Sequence, residues 1–77
     1  MVKARQTTIL IYLLVIEKLS NRGKEIKKND LAKVLNVTPS SVSEMLDKLR
    51  NDGYLEGNFK LTNKGKQFIQ NYRNRFI

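Results

Sequence analysis

The sequence contains no cysteine, no histidine and no tryptophan among its 77 residues. Without cysteine, disulfide bridges and thiolate metal sites are excluded. Without histidine, the commonest general base and the commonest metal ligand are missing. Ser40, Ser41 and Ser43 therefore have no histidine to activate them as nucleophiles, and the seven carboxylates follow no calcium- or magnesium-loop pattern. We expect no enzyme activity, no bound metal and no cofactor.

Long hydrophobic runs are also absent. The longest extends from Ile9 to Ile16 and has eight residues, whereas a membrane-spanning helix needs about 20. No small-residue cleavage site follows this run, as it would in a secretory leader. We expect one cytoplasmic domain over residues 1–77 that is not inserted in a membrane.

Charge of one sign predominates, with 15 Lys and Arg against seven Asp and Glu, a net charge of +8 and a pI of about 10.1. Residues 1–28 carry a net charge of +5, residues 29–57 carry −2, and residues 58–77 carry +5. Two basic flanks thus surround a weakly acidic middle. A pI above about 9 is typical of proteins that bind nucleic acid or another acidic surface.

The apolar run lies in a segment, residues 3–20, that has no glycine or proline and is longer than a typical strand, so it predicts a helix. Its apolar residues cover every side of that helix, which one small core cannot easily bury. Two interpretations stay open and weigh equally. The segment is the central core helix, or part of it forms a dimer interface.

A short second helix is predicted from Asn29 or Asp30, either of which can cap it, to Asn36. A third helix follows after only a few residues. Thr38 is a candidate N-cap and Pro39 suits the first helical position. One apolar stripe then recurs at helical spacing at Val42, Met45, Leu46 and Leu49. Two short helices joined by a tight turn predict a helix-turn-helix.

A tight β-hairpin is predicted next, with Gly57 and Asn58 as its turn between residues 54–56 and 59–62. Thr62 or Asn63 then caps a last helix. This order predicts a mainly α fold with a small β-hairpin, the winged helix-turn-helix, in which the hairpin is the wing.

Residues 31–56, LAKVLNVTPSSVSEMLDKLRNDGYLE, and residues 61–66, LTNKGK, resemble the DNA-binding domain of the DtxR-type iron- and manganese-dependent repressors. MarR-type repressors share much of this pattern. The resemblance implies double-stranded DNA binding and transcriptional regulation, with Thr38, Ser40 and Glu44 at positions that contact DNA. Metal-dependent members place a metal ligand early in the first helix, whereas the first acidic residue here is Glu17. We therefore expect a regulator without a metal-sensing role.

The candidate DNA contacts fall into two groups. A recognition helix contacts base edges mainly through its N-terminal part, and Glu44 can accept a hydrogen bond from a cytosine amino group. In the third helix the candidates are Thr38, Ser40, Ser41, Ser43, Glu44 and Lys48. The candidates for phosphate and wing contacts are Lys27, Lys28, Asn58, Lys60, Lys64 and Lys66.

The leading hypothesis is a sequence-specific transcriptional regulator, a repressor that binds DNA as a homodimer through its first and last helices. Residues 38–52, however, carry a net charge of −1, so attraction to phosphate must come from neighbouring segments. The alternative is a winged helix that acts as a protein-interaction or architectural module, with only non-specific affinity for DNA. Membrane-surface association through the first helix is a weaker third option.

Overall fold

A computed structural model describes residues 5–23, 25–57 and 59–76. In chain order these residues form α1 (Gln6–Ser20), α2 (Lys28–Leu35), α3 (Pro39–Asn51), β1 (Leu55–Glu56), β2 (Lys60–Leu61) and α4 (Asn63–Phe76). The two strands pair antiparallel. The expected mainly α fold with a small hairpin is confirmed. No helix in the described part of the chain is long and apolar enough to cross a membrane.

Helix α1 is the centre of the core. Its Leu13 and Ile16 are fully buried, and they pack with apolar residues from the other helices and the hairpin. Those partners are Leu31, Ala32, Val42, Met45, Leu46, Leu49, Leu55 and Ile69. The opposite side of α1 is not covered, because Ile11 remains 44% exposed. The core interpretation of this segment is therefore correct, and the face of α1 around Ile11 stays exposed.

The turn between α2 and α3 is closed by backbone hydrogen bonds. Asn36 adopts the left-handed conformation with φ of 56°. Its N–H donates to the Lys33 carbonyl at 3.3 Å, and the Val37 N–H donates to the Ala32 carbonyl at 3.0 Å. This pair of bonds is a Schellman motif, which ends a helix and turns the chain sharply. It sets the angle at which α3 follows α2.

The start of α2 differs from the prediction. The helix begins at Lys28, with Lys27 in the N-cap position, rather than after Asn29 or Asp30. Asp30 still stabilises this end, because its carboxylate accepts a hydrogen bond from the Lys27 N–H at 3.0 Å. A carboxylate in the first turn satisfies a free N–H and also favours the positive end of the helix dipole.

The hairpin also differs from the prediction. Leu55 pairs with Leu61 and Glu56 pairs with Lys60, so the second strand begins at Lys60 and not at Phe59. Phe59 lies in the loop between the strands, where its half-buried ring packs against the core. Burial of this ring favours packing over strand pairing at this position.

The end of α3, the hairpin and the start of α4 meet around Thr62. Its hydroxyl donates to the Gly53 carbonyl at 2.6 Å and accepts from the Gly65 N–H at 3.1 Å. Thr62, rather than Asn63, is therefore the N-cap of α4. Its own N–H donates to the Tyr54 carbonyl at 3.1 Å. Three backbone groups, two from the turn after α3 and one from α4, are thus tied to one residue.

Candidate nucleic-acid interface

The N-terminus of α3 is formed as the sequence predicts. Thr38 accepts a hydrogen bond from the Ser41 N–H at 3.2 Å, and the two hydroxyl oxygens lie 3.0 Å apart. Pro39 occupies the first turn. The hydroxyls of Thr38 and Ser41 are exposed but already engaged with each other. Ser40, also exposed, has no such partner among the described residues.

The outward face of α3 is set by its apolar stripe. The stripe residues Val42, Met45, Leu46 and Leu49 are all buried, at most 4% exposed. Because 100° separates successive residues of a helix, Ser40 and Glu44 point away from the core, and both are exposed. Ser43 lies on the flank and is half-buried. The structure therefore presents a narrow polar strip of Ser40, Ser43 and Glu44 at the start of α3.

The cations of α3 are paired within the helix. The Lys48 ammonium lies 3.2 Å from the Asp52 carboxylate, and the Arg50 guanidinium forms an ion pair with Asp47. Glu44 has no ion pair with another described residue. The outward face of α3 therefore supplies hydrogen-bonding groups and a carboxylate but no unpaired positive charge. Lys48, a predicted contact, is partly exposed and shares its ammonium group with Asp52.

Four of the predicted phosphate-binding cations have exposed side chains without internal partners. Lys27 and Lys28 stand at the start of α2, Lys60 lies on β2, and Lys66 lies on α4. Their ammonium groups form no hydrogen bond or ion pair with another residue in the described ranges. Asn58, predicted to act in the wing, lies outside the described residues.

Lys64 has internal partners that the sequence did not suggest. Its ammonium donates to the Asp52 carbonyl at 2.6 Å and stands 4.8 Å from the centre of the Tyr54 ring. The first contact satisfies a carbonyl at the C-terminus of α3 and the second is a cation–π interaction. Phe68 packs edge-on against the same ring, with 5.2 Å between ring centres. Lys64 thus holds α4 and the hairpin to the end of α3.

Arg50 was not predicted as a site residue, yet it connects the recognition helix to the wing. One guanidinium nitrogen, Nη1, donates to the Gly57 carbonyl at 3.3 Å, while Nη2 faces Asp47. No periodicity in the sequence marks this contact. The sequence shows only that a basic residue lies on the flank of α3. That flank faces the segment that follows Gly53.

Comparison with known protein families decides the identity of this fold. Residues 7–60 match the family described as iron dependent repressor, N-terminal DNA binding domain. This match covers more than half of the chain. The chain belongs to this family. Neither the curated proteins nor the solved structures contain a significant match.

The matched region of this repressor DNA-binding domain runs from the first turn of α1 to Lys60 in β2. It therefore includes the helix-turn-helix and most of the hairpin. The expected resemblance to the DtxR-type repressors is confirmed, and the domain is a DNA-binding regulatory domain. The family is one of DNA-binding domains rather than of enzymes.

The family description names iron, a metal that proteins hold with clustered His, Cys, Asp or Glu side chains. No three side chains of His, Cys, Asp or Glu come together in the described ranges. Glu17, the first acidic residue of α1, instead accepts a hydrogen bond from Arg73 of α4 at 2.7 Å. Iron sites need several such ligands around one point, so these residues of the repressor domain do not fit one.

Proposed function

We propose that this repressor-family domain is a sequence-specific, double-stranded DNA-binding regulator of transcription that acts as a homodimeric repressor in the cytoplasm. The observation that carries the proposal is the orientation of α3. Its apolar stripe is buried, so the polar strip of Ser40, Ser43 and Glu44 faces outward at the helix N-terminus. We propose no enzymatic role.

The chemistry of this strip suits base recognition in the major groove. Hydroxyls of Ser40 and Ser43 donate or accept hydrogen bonds, and their small size lets the helix backbone come close to the bases. The Glu44 carboxylate only accepts, so it favours an amino group such as N4 of cytosine. It also disfavours close phosphates, which keeps Glu44 from contributing to non-specific binding.

Attraction to the phosphate backbone is proposed to come from the flanks of α3. Lys27 and Lys28 at the start of α2, Lys60 on β2 and Lys66 on α4 have ammonium groups with no partner among the described residues. Lysines that neutralise phosphates release counterions and so contribute affinity without sequence preference. On this charge distribution, α3 supplies base recognition and the lysines outside α3 supply attraction to phosphate.

Dimerisation is proposed to use α1 and α4. These helices are neighbours, joined by the bond between Arg73 and Glu17 at 2.7 Å. Each has a large apolar side chain at the surface, with Ile11 44% and Tyr72 41% exposed. One recognition helix covers only a few base pairs, whereas a symmetric dimer places two helices about one DNA turn apart.

The test is selection from a randomised duplex pool at two salt concentrations, followed by sequencing of the retained DNA. A palindrome that remains enriched at the higher salt is the expected result. Glu44→Ala and Ser43→Arg should alter the selected bases, whereas Lys60→Ala should weaken all sequences alike and lower the salt dependence of log K by about 1 for each subunit of the dimer. Equal losses on every sequence for all three variants would contradict base recognition by α3.

One observation favours the alternative, a protein-interaction or architectural module with only non-specific DNA affinity. Both cations of α3 are paired, with Asp52 and Asp47, and Glu44 adds an unpaired negative charge. If retention in the selection collapses at higher salt and no sequence is enriched, phosphate attraction alone explains the binding. The alternative would then replace the first proposal.

A further inference from the structure

We propose that Arg50 is a positioning residue for DNA binding: it holds the wing at a set distance from the recognition helix without contacting DNA itself. This inference rests on the proposed function, in which α3 and the wing contact the same duplex. It adds a residue that neither the sequence pattern nor the family match points to.

The geometry of Arg50 supports this role. Its side chain is 34% exposed and bridges two elements, with Nη1 on the Gly57 carbonyl at 3.3 Å and Nη2 on the Asp47 carboxylate. Asp47 lies one helical turn before Arg50 on α3. The planar guanidinium donates from fixed directions. Because Asp47 holds Nη2, Nη1 stays directed at the carbonyl of Gly57 in the loop.

The wing needs such a contact because it is very short. Each strand has two residues, and a two-stranded hairpin is only marginally stable without other support. Gly57 is exposed and has φ of +64°, and no heavy atom outside its neighbours lies within 4 Å of where its β-carbon would be. The far end of the loop is anchored by Phe59, which packs against the core, but at Gly57 no packing holds the chain and the Arg50 bond does.

The consequence for DNA binding concerns Lys60. This residue follows the loop directly and carries an exposed ammonium group. Without the Arg50 bond, the part of the loop before Phe59 can move relative to α3. The wing, including Lys60, is then held less firmly relative to Ser40 and Glu44, and contacts by helix and wing fit one duplex less well. Preorganisation of this kind lowers the entropy cost of binding.

Direct contact of Arg50 with phosphate is the competing explanation. Two substitutions of Arg50 distinguish it from the positioning role. Arg50→Lys keeps the positive charge but cannot donate from two fixed nitrogens to Asp47 and Gly57, whereas Arg50→Ala removes both. Under the positioning role, each variant should weaken binding by the same factor as Lys60→Ala. Adding Lys60→Ala to either variant should then cost less than about twofold more, because the wing contact is already lost.

Independent contributions would give a different result. If Arg50 contacts phosphate, Arg50→Lys should keep most of the affinity, and the double variant Arg50→Ala with Lys60→Ala should lose the product of the two single factors. Either finding overturns the inference. Lys33→Ala is the matched control, since Lys33 is exposed on α2 without a partner among the described residues. In the double variant of Lys33→Ala and Lys60→Ala, the loss of affinity should equal the product of the two single losses.

A measurement without DNA keeps the inference separate from the proposed function. Amide chemical shifts of residues 56–61 in the free protein should change in both Arg50 variants, while those of α1 stay unchanged and the thermal midpoint shows that the domain is folded. Unchanged hairpin shifts would overturn the inference even if Lys60 contacts DNA. Shifted signals together with no effect of Lys60→Ala on affinity would instead refute the wing contact, and with it the role of Arg50 in DNA binding.

Discussion

The backbone carbonyl oxygen of Tyr54 lies so close to Gly65 that a β-carbon on Gly65 would stand 2.4 Å from it. This contact lets the first turn of α4 pack directly against the start of the hairpin. Leu61 borders the same point, at 3.3 Å from the β-carbon position. Only glycine fits there without displacing backbone, which explains its place in the segment LTNKGK.

Gly65→Ala should therefore destabilise the domain, even though alanine is the better helix former. Overpacking of this kind costs about 1–3 kcal/mol, more than the gain of up to about 1 kcal/mol in helix propensity. Urea unfolding followed by circular dichroism measures the difference. Lys66→Ala, at the next and exposed position, is the control and should change stability little. Equal midpoints for the two variants would refute the contact.

Thr38→Ala should lower the free energy of unfolding by about 1 kcal/mol, because the Ser41 N–H loses its hydrogen-bond acceptor at the N-terminus of α3. Thr38→Ser keeps an acceptor oxygen in the same place and should retain most of the stability. The comparison uses thermal unfolding of both variants beside the unsubstituted protein. If serine and alanine destabilise equally, the capping role of the hydroxyl is wrong.

Stability at alkaline pH should depend on Tyr12. Burial raises the pKa of its phenol above the usual value of 10.0, because the charged form is poorly solvated in the core. Below pH 10.0 the phenol is neutral in the folded and the unfolded state, so it does not make stability depend on pH. Above it, the unfolded chain ionises first, so stability falls as pH rises through the raised pKa of the folded state.

Tyr12→Phe should remove this part of the alkaline loss, and urea midpoints between pH 8 and pH 11 measure it. The unsubstituted protein at pH 8 is the internal reference, because the Tyr12 phenol is neutral there in both the folded and the unfolded state. Parallel urea midpoints for Tyr12→Phe and the unsubstituted protein up to pH 11 would show that burial of Tyr12 is not the cause.

Ile11→Lys should weaken dimerisation at least about tenfold, because it places a charge in the centre of the proposed apolar interface. Sedimentation equilibrium gives the dissociation constant of the dimer. Ser20→Lys adds the same charge at an exposed position near the end of α1 and should have little effect. A protein that is monomeric before any substitution would contradict the dimer proposal directly.

The helix-turn-helix was predictable because its determinants are local. Thr38 and Pro39 mark the start of α3, and the apolar stripe at Val42, Met45, Leu46 and Leu49 sets its buried face. Both properties depend on residues within a few positions of each other. The exposed side of α3 follows from the same stripe, so the place of Ser40 and Glu44 was predictable too.

Residues whose partners are distant along the chain were harder to place. Lys64 was predicted to contact phosphate, but its ammonium binds the Asp52 carbonyl, 12 positions away. Phe59 was predicted to lie in the second strand, but it packs against the core instead of pairing. Composition and charge describe such side chains correctly as basic or apolar, but they do not say which neighbours the fold provides.

The sequence by itself determined the helices, the N-cap of α3, the buried stripe of α3 and the two basic flanks, because each depends on short-range backbone preferences or on composition. Only the tertiary structure decided which cations remain available and which are engaged. Lys60 stays exposed without a described partner, while Arg50 is held by Asp47 and Gly57. The physical reason is that a hydrogen bond or ion pair requires two groups within a few ångströms of each other. Only the packing of α3 against the hairpin brings the Arg50 guanidinium that close to the Gly57 carbonyl.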